Sequence, residues 1–117
     1  MAVENFVASQ VDKTREFGDS YEYKGDNINE VAAGNWVILP RGKTVASVSL
    51  IITNTATAKI QYTTDTVARV EAGSAVAIDW PDGGVTASTG ASFNPVTAVR
   101  LNVTAYTSGD VYMTAIA

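Results

Sequence analysis

Apolar and polar residues alternate one by one through much of the chain after Val45. Ala56, Ala58, Ile60 and Tyr62 fall on one side of an extended backbone, with Thr57, Lys59, Gln61 and Thr63 on the other. That period of two marks a strand with one buried and one wet face. Val99, Leu101, Val103 and Ala105 repeat it as an inward row, with Arg100, Asn102, Thr104 and Tyr106 outward. Residues 45–54 predict a strand whose centre, Leu50-Ile-Ile52, is apolar on both sides, as in a central strand covered on both faces. Trp36-Val-Ile-Leu39 predicts a short buried strand ended by Pro40, and 111–116 a closing strand. Weaker runs predict short strands over 66–70, 75–80 and 85–89.

Turn signals separate these runs. Arg41-Gly-Lys43, Glu71-Ala-Gly73 and Pro81-Asp-Gly-Gly84 break the chain, 90–95 reads as a loop, and Thr107-Ser-Gly-Asp110 reads as a hairpin turn. About seven short strands with turns every 8–12 residues predict an all-β fold, an antiparallel β-sandwich or small barrel.

The first thirty residues read differently. Val3, Phe6, Val7 and Val11 lie three to four apart and predict a short helix, ended by Gly18. Tyr21-Glu-Tyr23 alternates, and Lys24-Gly-Asp-Asn27 reads as a turn. The chain thus divides into residues 1–34, an arm reaching across a neighbour or a flap docked on its own domain, and a sandwich domain over 35–117. Phe6, Tyr21 and Tyr23 are the partner-binding candidates of the arm.

Charge sharpens this division. Residues 1–30 hold seven acidic against three basic side chains, a net of −4, whereas residues 31–117 hold five of each. A leader this acidic is unsuited to nucleic acid, which attracts clustered Lys and Arg. It suits a basic protein surface, and equally it keeps a charge-poor chain in solution. Only 17 % of the 117 residues are charged, below the usual quarter, while 46 % are hydrophobic. A β-rich surface so short of charge is prone to associate, which points to coverage by a partner or by further copies of the chain.

Candidate chemistry is sparse. There is no His and no Cys, so thiolate chemistry, disulfides and an ordinary zinc site are excluded. Asp79 and Asp82 flank Trp80-Pro81, but the later Glu of a calcium loop is missing, and Ile28 interrupts Asp26-Asn-Ile-Asn-Glu30. No cofactor or metal is expected. Lys43 lacks the glycines of a phosphate loop. A Ser or Thr nucleophile would have only Lys43 or Lys59 as its base, and nothing in the sequence positions either. The residue set favours a non-enzymatic structural or interaction role. Trp80, Trp36 and the tyrosines could stack on sugars, and Trp80, beside its Pro-Asp-Gly turn, is the ligand or interface candidate. The competing reading has Trp80 plugging one end of the sandwich. Tyr106 and Tyr112 flank the last turn and are expected to pair across strands. The start of the chain lacks a signal peptide's basic and apolar regions, and no stretch reaches the ~20 apolar residues of a membrane helix.

Thr63-Thr-Asp65, Val70-Glu-Ala-Gly73, Trp80, Gly84-Val-Thr86 and Pro95-Val-Thr-Ala-Val-Arg-Leu101 together resemble short β-rich virion proteins of tailed bacteriophages, over roughly residues 45–117. The resemblance implies a small sandwich used as a repeated building block, made in the bacterial cytoplasm and residing in the virion. It carries no catalytic residues. It implies a capsid decoration or cement protein that binds junctions of the major capsid protein and self-associates. A tail, connector or fibre subunit is the first alternative, and a carbohydrate-binding host-attachment module the second.

Overall fold

The structure, a computed structural model, describes residues 3–5, 7–9, 20–39, 46–80, 83–93 and 96–116. Along the chain run β1 (Val3–Asn5), β2 (Val7–Ser9), β3 (Ser20–Lys24), β4 (Ala32–Ala33), β5 (Trp36–Ile38), β6 (Ala46–Ile52) and β7 (Thr55–Thr63). There follow a short helix α1 (Val67–Glu71), β8 (Ile78–Asp79), β9 (Thr89–Phe93), β10 (Ala98–Ser108) and β11 (Val111–Ile116). The strands form two sheets, so the fold is an all-β sandwich. The first has the order β1-β5-β10-β7-β8, with β4 also on β10; the second has β2-β3-β11-β6-β9. Only the β1–β5 ladder is parallel among the described pairs.

The alternating runs place the core. Val48, Leu50 and Ile52 of β6, Val111, Met113 and Ala115 of β11, Ala56, Ala58 and Ile60 of β7, and Val99, Leu101 and Val103 of β10 are buried between the sheets. Fully burying one such Val or Leu contributes about 1.5–3 kcal/mol, so this layer is the main source of stability.

In β10 the inward row stops at Val103. The β7–β10 register shifts between Val103 and Ala105, which puts Tyr106 opposite Ala56. This bulge reverses the faces that simple alternation assigns. Ala105 is exposed, and Tyr106 packs against the core with its hydroxyl donating to the Gly109 carbonyl at 2.7 Å.

The turn at 107–110 is not a hairpin. β10 belongs to the first sheet, with β7 on one side and β5 and β4 on the other, while β11 lies between β3 and β6 in the second, so the two strands are not paired with each other. The chain instead turns a corner from one sheet to the next. Thr53-Asn54, between β6 and β7, turns a second corner beside it. The two are tied by Thr53 N–H to the Asp110 carbonyl (3.0 Å) and Asp110 N–H to Thr53 Oγ1 (2.7 Å). Tyr106 and Tyr112 consequently lie in different sheets, opposite Ala56 and Ile51, and do not pair.

Three further segments differ from the sequence reading. The stretch expected to be helical near the N-terminus supplies β1 and β2, because its short apolar runs find partners in β5 and β3. The strand expected over 66–70 is α1: Thr66 caps it by accepting from Arg69 N–H, and Val70 is its buried residue. The ladder on β6 is formed by 89–93, of which 90–93 read as loop, while of 85–88 only Val85 forms a bridge, to Ala58.

The outer faces of the sheets are unequal. Trp36 and Ala98 point outward from the first sheet and are covered by Val70, with Val3, Ile38, Ala75 and Ala77 around them. Asp65 fastens both ends of this cover, accepting from Val76 N–H at 2.7 Å and from Arg69 Nη1 at 3.1 Å. Among the described residues, no helix is long and apolar enough to cross a membrane.

Candidate functional site

The described parts of the 1–34 segment are hydrogen-bonded into both sheets. β1 joins the first sheet beside β5, and β2 and β3 join the second beside β11. After β3 the chain crosses the end of the sandwich, with Gly25 N–H donating to Met113 O (2.8 Å), Ile28 N–H to Val111 O (2.7 Å) and Gly34 N–H to Leu101 O (2.6 Å). Ile28 packs on the core and anchors the crossing.

This path leaves a depression of about 270 Å³, lined by Glu4, Tyr23, Asp26, Asn27, Glu30 and Asn35 among others. Tyr23 is half-buried, and its hydroxyl donates to Glu4 Oε2 at 3.0 Å. Asn35 Nδ2 donates to the same oxygen at 3.3 Å. Burial first, then the hydrogen bond to Glu4 and the charges of Glu4 and Asp26, push the Tyr23 phenol well above its ordinary range. A neighbouring hollow shares Glu4 and Tyr23 and adds Glu22 and Lys24. Four carboxylates, Glu4, Glu22, Asp26 and Glu30, therefore surround one end of the sandwich. Lys24 is the one base among the described residues of the leader, and it lies 5.8 Å from the centre of the Tyr112 ring.

The outer face of the first sheet carries a second polar cluster. The Arg100 guanidinium lies 4.6 Å from the Trp36 ring centre, and its Nε donates to Gln61 Oε1 at 2.8 Å. Gln61 Nε2 donates to Asp79 Oδ1 (2.8 Å), and Lys59 Nζ bridges to Asp79 Oδ2 (3.0 Å). These partners, Gln61 foremost, hold the Asp79 carboxyl below the usual carboxylate range, and burial lowers the pKa of Arg100. Trp36 is 1 % exposed beneath this cluster, so it offers no platform to a sugar. The cluster seals Trp36 and presents an Arg already held by its neighbours.

The sequence candidates are scattered over the molecule. Tyr23 lines the acidic depression, and Tyr21 sits in β3 opposite Ala8. Phe6, Asp82 and Lys43 lie outside the described residues. Trp80 follows β8 half-buried against the core, with its backbone N–H donating to Ile60 O at 2.9 Å. Asp79 is engaged with Lys59 and Gln61. Among the described residues, no group of three acidic side chains is placed to hold a metal ion.

Sequence reasoning missed Glu4 and Asn35. Nothing local singles them out, because they lie 19 residues before and 12 after Tyr23 and meet only when the sheets close. The excess of acid in the leader was the available signal. Comparison with family models, curated proteins and solved structures finds no match to this chain.

Proposed function

We propose that this chain is a non-enzymatic virion protein, a decoration or cement subunit that docks through its acidic end onto a basic surface of the major capsid protein. The observation that carries the reading is the gathering of Glu4, Asp26 and Glu30 around one depression, with Glu22 in the neighbouring hollow that shares Glu4, while residues 31–117 are charge-balanced. The resemblance of residues 45–117 to tailed-phage virion proteins supports it, as does the Thr- and Ser-rich, charge-poor strand surface.

In this mechanism the leader works in place, as a docked edge of the sandwich. Tyr23 and Asn35 hold the Glu4 carboxylate in position before the partner arrives, so an incoming Lys or Arg meets a fixed acceptor. Each exposed ion pair adds only about 0.2–1 kcal/mol. Repetition over many sites on a particle turns such contacts into firm attachment.

Co-sedimentation of the full chain with heads lacking it tests the proposal. Binding is expected to weaken as salt rises. The triple variant Glu4→Gln, Asp26→Asn, Glu30→Gln is expected to bind about tenfold or more weakly, as follows from losing several such pairs, with an unchanged circular dichroism spectrum. Equal binding by the variant, or no binding by the parent chain, overturns it.

A further inference from the structure

Among the described strands, β1, β8 and the two-residue β4, which pairs β10 alone, end the first sheet, and β2 and β9 end the second. An exposed edge offers unpaired N–H and C=O groups to any other chain, and proteins blunt it with shortness, charge, proline or a bulge. β1 and β2 are three residues each and nearly continuous in the chain, separated by residue 6 alone. β8 is two residues long and carries Asp79, held by Lys59.

β9 has none of these protections. It runs for five residues, Thr-Gly-Ala-Ser-Phe, with no charge and no proline. Its ladder on β6 is regular from Leu50↔Thr89 to Ala46↔Phe93, without a bulge. Ser88 pins its start, accepting from Ile52 N–H at 2.9 Å and donating to Ile52 O at 3.3 Å. No charged residue occurs anywhere from 83 to 99. Among the described residues, its other edge faces no strand.

We infer that β9 is a self-association edge: it pairs antiparallel with β9 of a second copy, so that two five-stranded sheets join into one. A second copy is the occupant that fits. Two identical strands in antiparallel register are complementary to each other about a two-fold axis. The uncharged edge also lets two chains, each of net charge −4, meet with no like charges opposed. Main-chain hydrogen bonds supply the attraction, as in other strand additions. In the second sheet, β11 and β6 separate β9 from β3, so this edge and the acidic depression do not compete. The inference stands whatever partner the acidic end meets.

Analytical ultracentrifugation of the full chain over a concentration series, with hydrogen exchange, tests it. A concentration-dependent dimer is expected, with amides of 89–93 gaining protection as dimer forms. Ser92→Lys places a charge on the exposed side of β9 and is expected to abolish the dimer while the melting curve holds. Ala105→Lys, an exposed position of β10 in the other sheet, is expected to leave the dimer intact. A monomer at every concentration, or a dimer that Ser92→Lys leaves unchanged, overturns the inference.

Discussion

The Tyr23 hydroxyl donates to Glu4 Oε2 at 3.0 Å, and this bond joins the two sheets, since Tyr23 belongs to β3 and Glu4 to β1. Nineteen residues separate the pair in sequence, and Phe6 and the stretch 10–19 lie between them outside the described residues. The bond both closes one end of the sandwich and orients a carboxylate in the proposed docking site.

Tyr23→Phe removes the donor and leaves the ring. A part-buried hydrogen bond to a charged acceptor contributes about 1.5–3 kcal/mol, so unfolding by denaturant should show a loss toward the lower end of that range. The phenol's pKa is raised in the folded chain, so the stability it contributes is complete below about pH 10, its ordinary value, and is lost as pH rises through the higher folded value. Ultraviolet titration is expected to show a late tyrosine step, above the ordinary phenol range. The Tyr23→Phe variant is expected to lack that late step.

Gly109 sits at φ +91 where the two inter-sheet corners touch. A Cβ there would lie 2.5 Å from Asn54 Cβ and 2.9 Å from Asn54 N. Gly109→Ala therefore combines a left-handed backbone with a collision against main chain, and should cost about 3 kcal/mol or more. Gly73, at φ +77 with open space around it, is the matched control. Its Ala variant carries the backbone strain alone, about 1 kcal/mol. Thermal melts of the two variants measure the difference.

The Asp65 carboxyl is held below the ordinary carboxylate range, first by the Val76 N–H and then by Arg69. A depressed folded pKa means stability that is present above about pH 4, the unfolded value, and is lost as pH falls through the lower folded one. Asp79 behaves in the same way through Gln61 and Lys59. Melting temperature should therefore fall in acid below about pH 4. Asp65→Asn should melt lower at neutral pH and show a smaller further fall in acid. Faster amide exchange over 65–77 should accompany it, because Asp65 fastens the cover over Trp36.

Val70 is fully buried on the outer side of the first sheet, against Trp36 and Ala98. Val70→Ala opens a gap that a five-residue helix closes only in part, at a cost of about 2 kcal/mol. The near-ultraviolet signal of Trp36 should weaken, while the strand spectrum is kept.

The parts of the fold legible in the sequence are those where one face is buried and the other wet. β6, β7, β10 and β11 carry alternation over most of their length, and burial falls on Val48, Leu50, Ala58, Ile60, Leu101 and Met113 as that pattern requires, whereas Gln61 and Thr63, read on the wet face of β7, are buried. Alternation carries no information about which sheet a strand joins, so the corner at Gly109 had the signature of a hairpin. It also cannot register a bulge, which is why Ala105 and Tyr106 exchange faces. α1 is valine-rich and reads as strand; its signal was Thr66, a capping residue just before the run. β9 reads as loop because of Gly90 and the following Asn94-Pro95, yet the free side of β6 gives it a partner. In the leader, Val3 and Val7 fit a helical spacing as well as two short strands, and pairing with β5 and β3 decides. Tyr23 was visible as an aromatic in an acidic stretch, whereas the carboxylate it holds came from a distant strand.

Immunogold electron microscopy of virions from the source system, with an antibody to this chain, tests the virion proposal most directly. A decoration protein predicts label spread over the heads. Label confined to tails or necks would move the chain to a tail or connector subunit, and particles without any label would contradict the virion reading altogether.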